Sequence, residues 1–137
     1  EAFDASTVTV VNGLGYDKML IGRETADYFA QPLTGLWSSA PYLHNGSVPT
    51  LWHLMHPAER PAVFFAGGHK LDLEKVGIAG ALQADGSWAV PAGYEPWTEP
   101  TRIDTRVRGL GAEGHAAPFD TMSEPDKAAL LEFLKQL

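Results

Sequence analysis

Five histidines are the side chains here best suited to ligating a metal ion or moving protons near neutral pH: His44, His53, His56, His69 and His115. Their settings differ. His44 stands between Pro41-Tyr42, a stiff aromatic strut, and Asn45-Gly46, a strong turn signal, so it is a placed histidine. His53 and His56 are spaced i, i+3 and would share one face of a helix. Two such ligands could begin a zinc or copper site, but a complete one takes a third or fourth, and no cysteine or clear carboxylate stands beside them. A solvated helix face is the preferred reading of that pair. His115 follows Gly114 in a long loop, where the backbone can approach a flat group closely. No Ser-His-acid arrangement is recognisable from spacing. The glycine-rich stretch 109–114 lacks the strand-helix context of a phosphate-binding loop.

The elements that must position these residues are short. Ser47 reads as an N-cap, with Pro49 in the first turn and Leu51, Leu54 and Met55 as the buried stripe of a helix over 48–55, stopped by Pro57. A second helix is announced by Ser123-Glu124-Pro125-Asp126, a capping box, with Leu130, Phe133, Leu134 and Leu137 on one face. Residues 7–11 suggest a strand closed by Asn12-Gly13, and 16–29 a short helix interrupted by Gly22. The stretch 61–68 reads as extended, and Asp85-Gly86 as the turn of a hairpin between 76–82 and 87–90. Residues 30–48 are expected to be irregular but ordered, and 91–118, rich in proline and glycine, to form one long loop. The expected fold is mainly α with long loops and a small β-hairpin, in a single domain covering 1–137.

Bulk properties narrow the function. A net charge of −7 with only ten basic residues argues against nucleic acid and anionic membranes as partners. No apolar run approaches the length of a bilayer span. The chain contains no cysteine, which excludes disulfides and a Cys-x-x-Cys-His haem attachment site of its own. The start at Glu1 is what a processed chain would show.

The run Ala40-Pro41-Tyr42-x-His44-x-Gly46-Ser47, followed by Thr50-Leu51, resembles the signature in the C-terminal haem domain of bacterial dihaem cytochrome c peroxidases. The wider stretch, Tyr28 and Ala30-x-Pro32-Leu33-x-Gly35-x-Trp37 through Leu54, is closer to the branch holding the dihaem rubber oxygenases and related large periplasmic c-type cytochromes. Arg60-Pro61, Phe64 to Gly67, Leu71-Asp72 and Val76-Gly77 keep that branch's order, as does Ile103-Asp104-Thr105 leading to Gly114-His115. The resemblance covers roughly 26–137. Departures are Leu110-Gly111-Ala112-Glu113, where the branch is rich in Asn and Ser, and Ala58, where the peroxidases carry a methionine ligand.

The resemblance implies a cytochrome c-like fold and a role as the C-terminal part of a dihaem c-type redox protein of peroxidase or oxygenase type. With no cysteine here, the haem c would be held by a haem-bearing N-terminal chain, as an obligate complex or a cleaved precursor, in the periplasm or outside the cell. His115 would be the distal axial ligand of the C-terminal haem, with His56 in reserve. His44 would sit beside the haem, bonding a propionate or a carbonyl, with Tyr42 and Trp37 nearby. Calcium is implied at the backbone carbonyls of Ser39 and Pro41. This chain alone would be inactive. Two rivals stand beside this reading. One is an electron-transfer or sensor cytochrome without an open haem; the other is a stand-alone module whose Trp88, Tyr94 and Trp97 form a sugar platform.

Overall fold

The computed structural model describes residues 33–137, one compact unit. The strand expected over 7–11, the helix within 16–29, and Tyr28, Ala30 and Pro32 lie outside the described residues. Within them the expectation of a mainly α fold with one small hairpin is overturned. Six short strands form two sheets, and a single helix exceeds two turns.

The 42–55 segment shows why. Tyr42 and Val48 pair across a tight turn, with the Tyr42 amide donating to Val48 O at 2.7 Å and the Val48 amide returning to Tyr42 O at 3.3 Å. The Pro49 carbonyl accepts from the Ile78 amide at 2.9 Å, and Thr50 bridges Gly77. Residues 48–50 are therefore held extended by neighbours, and the helix begins later than its sequence pattern implies. Helix α1 runs Leu51–Met55, capped by Thr50, not Ser47: Thr50 Oγ1 accepts from the His53 amide at 3.1 Å. The free amides of Leu51 and Trp52 donate to the Val76 and Lys75 carbonyls at 2.8 and 3.1 Å, so a one-turn helix leaves no orphan donor there.

The larger sheet has the order β4-β5-β1-β6. Strand β1, Val63–Ala66, lies at its centre, parallel to β5, Ser87–Ala89, and antiparallel to β6, Thr101–Asp104. Strand β4, Ala81–Leu82, pairs antiparallel with β5 around Asp85-Gly86, so the hairpin forms at its expected turn, but its first arm is 81–82 and not 76–82. Asp85 Oδ1 accepts from both the amide and hydroxyl of Ser87, at 3.0 and 2.7 Å. Two further strands, β2 (Leu71–Asp72) and β3 (Gly77–Ile78), form a separate ribbon. The stretch 91–118 is thus not loop throughout, because β6 interrupts it.

Helix α2, Glu124–Leu134, is capped by Ser123, whose Oγ accepts from the Asp126 amide at 3.3 Å. Its inward face carries Leu130, Leu131 and Leu134; Phe133, expected inside, is exposed. Two clusters make the core. Tyr42, Val48, Leu51, Met55, Val76 and Leu131 fill the first, joining α1 to α2. Phe64, Ile78 and Trp88 fill the second, beneath the larger sheet. No helix among the described residues is long and apolar enough to cross a membrane.

Candidate functional site

Two loops far apart in sequence meet at His44 and His115. Their ring centroids lie 6.2 Å apart at an interplanar angle of 64°. Both side chains are exposed. His44 occupies the turn closed by the Tyr42–Val48 pairing. Tyr42, buried beneath it, donates its hydroxyl to Leu36 O at 3.0 Å. That burial pushes its phenol up to about 12. Asn45 braces the turn internally, accepting from the Ser47 amide at 3.2 Å. It also reaches outward: its Nδ2 donates to Gly109 O at 3.3 Å and Gly111 O at 3.0 Å.

The second loop is gripped at its other end by Arg60. The guanidinium has five N–H groups. Nε donates to His53 O (3.1 Å), Nη2 to Leu54 O (2.9 Å) and His115 O (3.4 Å), and Nη1 to Ala112 O (2.6 Å) and Gly114 O (2.7 Å). All five donors therefore meet backbone carbonyls. Two of these are the open carbonyls at the end of α1, and three belong to the loop carrying His115. Burial lowers the Arg60 pKa, against which these acceptors favour the cation. Gly114 and His115 both have positive φ, 89° and 49°. Glycine adopts that conformation freely, but histidine does so rarely. The His115 imidazole makes no hydrogen bond to another described residue.

The other histidines are engaged elsewhere. His56 Nδ1 faces Trp52 O at 2.7 Å and its Nε2 faces Glu124 Oε2 at 2.9 Å, while the ring stacks on Trp52 at 4.1 Å. Its nitrogens are therefore committed within the fold. The pair expected on a solvated helix face is not one: His53 is buried, with Nδ1 2.8 Å from Thr50 Oγ1 and its ring edge-on to Trp52 and Trp88. Burial, then the Lys75 charge, lower its pKa to about 3, so it is neutral. His53 and His56 share no metal: no group of three or more His, Cys, Asp or Glu is close enough to hold one among the described residues. His69 Nδ1 accepts from the Gly67 amide at 3.1 Å, and burial lowers its pKa.

Trp37 sits half-exposed in a 3-10 turn over Leu36–Ser38. Ser39 hydrogen-bonds back to Gly35 O at 2.9 Å. The carbonyls of Ser39 and Pro41 offer two oxygens, against the six to eight that calcium takes. These residues alone do not make a calcium shell. Nor do Trp88, Tyr94 and Trp97 form one open platform. Trp88 is buried and donates to Ile78 O, Tyr94 is half-buried and donates to Gly68 O, and only Trp97 is widely exposed. Arg60 and Asn45 are the residues bracing these loops that residue spacing missed. The readable signal was an arginine just beyond a helix C-terminus, where carbonyls lack partners.

Residues 27–65 match the family described as RoxA-like, cytochrome c-like, so the chain carries a RoxA-like, cytochrome c-related region. That match associates the region with c-type haem. Over 120 residues, 80% of its length, the chain is 38% identical to uncharacterized protein y4iJ of Sinorhizobium fredii (strain NBRC 101917 / NGR234), covering 18% of that protein. Over 50 residues, 36% of its length, it is 56% identical to uncharacterized protein y4iM of the same strain, covering 12% of it. The chain thus spans less than a fifth of the length of the curated relatives it matches.

Proposed function

We propose that this chain closes one face of a c-type haem that is covalently attached elsewhere, with His115 as distal axial ligand and His44 beside the ring. The observation carrying this reading is the meeting of His44 and His115 on two braced, exposed loops. His115 fits a ligand's part: its ring nitrogens make no hydrogen bond to a described residue, and its backbone is held from behind by Arg60. The absence of cysteine fits attachment outside this sequence. When bound, a haem with two axial ligands supplies one-electron redox chemistry at a potential set by those ligands and their surroundings.

This chain's own residues would do the positioning. Tyr42 and Asn45 hold the His44 turn rigid, while Arg60 and Asn45 hold the His115 loop against it. We assign the whole protein to the dihaem c-type redox enzymes of peroxidase or oxygenase type, periplasmic or secreted, with chemistry on peroxide or oxygen at a haem outside this chain. Its partner would be a haem-bearing polypeptide joined over more than about 2,000 Å².

The test is electron paramagnetic resonance on the chain purified with its haem-bearing partner, together with a haem-stained denaturing gel. His115→Ala is expected to turn one low-spin haem high-spin without loss of covalent haem. His44→Ala should leave spin states unchanged and lower the melting temperature. A high-spin change in His44→Ala and none in His115→Ala would exchange the two roles. A folded chain that purifies with no haem partner would remove the reading.

A further inference from the structure

Resting on that reading, we propose that Arg60 is the positioning residue of the Gly114-His115 loop: it holds the loop in the one conformation that presents His115 as a ligand. The five-carbonyl arrangement carries this. Arg60 forms no ion pair with an acid among the described residues, so its charge is spent wholly on backbone oxygens. Three of the five belong to 112–115, spanning the two residues of positive φ. A backbone kept in a rarely populated conformation persists only where its surroundings over-determine it. Asn45 secures the loop at 109 and 111, and Arg60 secures it at the histidine itself.

A helix-capping role alone would involve only His53 O and Leu54 O. Ala112, Gly114 and His115 would then have no reason to converge on the same guanidinium. Lysine cannot substitute. Its three donors radiate from one nitrogen, so it cannot bridge the end of α1 and the loop as a planar fork does.

The experiment compares Arg60→Lys, Gly114→Ala and His115→Ala in the chain purified with its haem-bearing partner. Gly114→Ala strains the loop while leaving Arg60 in place. Two readouts are taken: the spin state of the haem, and the rate at which a Glu-specific protease cuts after Glu113. In Arg60→Lys the ratio of ligated to unligated haem should fall about ten-fold, with added imidazole restoring the low-spin signal. Cleavage after Glu113 should quicken by a similar factor. Gly114→Ala should move both readouts in the same direction. If Arg60→Lys does not accumulate, Arg60→Gln, which keeps two donors without charge, is read the same way.

A low-spin signal unchanged in the Arg60 variant, while His115→Ala turns high-spin, overturns the positioning role and leaves the haem reading intact. If His115→Ala itself changes nothing, the haem reading fails and the positioning role falls with it. Faster cleavage in Arg60→Lys would then mark Arg60 as a packing residue of the loop.

Discussion

His56 Nε2 lies 2.9 Å from Glu124 Oε2, joining the end of α1 to the first turn of α2 across 68 positions of sequence. Glu124 also accepts from Lys127 at 2.8 Å, and these two bonds, Lys127 first, hold its carboxyl below the usual range. A depressed carboxylate stabilises the fold above its unfolded pKa, here the ordinary 4.5, and that contribution is lost as pH falls through the folded value. Glu124→Gln is therefore expected to lower the melting temperature at neutral pH, with the difference from the parent shrinking below pH 4.5. Thermal melts across pH check it. Equal differences at pH 7 and pH 3 would mean that the loss is steric.

His53 runs the same linkage with a base. In the unfolded chain it takes a proton near 6.5, but buried among Trp52, Trp88 and Thr50 it resists until about 3. Above 6.5 both states are neutral and nothing is lost. Between 6.5 and 3 only the unfolded state is charged, and each pH unit crossed removes about 1.4 kcal/mol. His53→Asn should flatten urea-unfolding stability across that window. A parallel pH dependence in the variant would assign the acid sensitivity elsewhere.

Ser47 is fully buried, and its hydroxyl finds no partner among the described residues. An unmet buried donor costs about 1–3 kcal/mol in desolvation, so Ser47→Ala should hold or raise stability, by up to about 1 kcal/mol. The urea midpoint, read at constant slope, measures this. A destabilised variant would show that the hydroxyl is bonded in solution.

Gly77 has φ of 140°, and a Cβ there would collide with the Pro49 carbonyl and the backbone of Thr50. Gly77→Ala should cost about 2–4 kcal/mol, because the obstacle is backbone and cannot swing away. Gly86→Ala, at φ 79° with nothing within 4 Å, should cost about 1 kcal/mol from backbone strain alone. Similar losses for both would remove close packing as the reason for glycine at 77.

Local chemistry decided much of this protein within single stretches of sequence. The His44 turn is written in Pro41, Asn45 and Gly46, the hairpin in Asp85-Gly86, and the start of α2 in Ser123 and Asp126. Each depends on bonds to residues only a few positions away, so neighbouring residues suffice to specify it. Leu131 shows the limit: the inward face of α2 is set by where Tyr42 and Val48 stand, and the turn pattern alone favoured Phe133.

Tertiary structure decided the rest. Strands of two to four residues are too short to show an alternating pattern, and β1 meets β5 from more than twenty positions away, so a chain that folds around sheets reads as mainly α. Ser47 has the composition of a cap, yet Thr50 caps α1, because Ile78 and Gly77 hold 48–50 extended. The sequence could name His44 and His115 as candidates. That they stand together rests on Asn45 reaching 109 and 111 and on Arg60 reaching 112–115, and carbonyl oxygens carry no side-chain signature by which sequence could reveal such bonds.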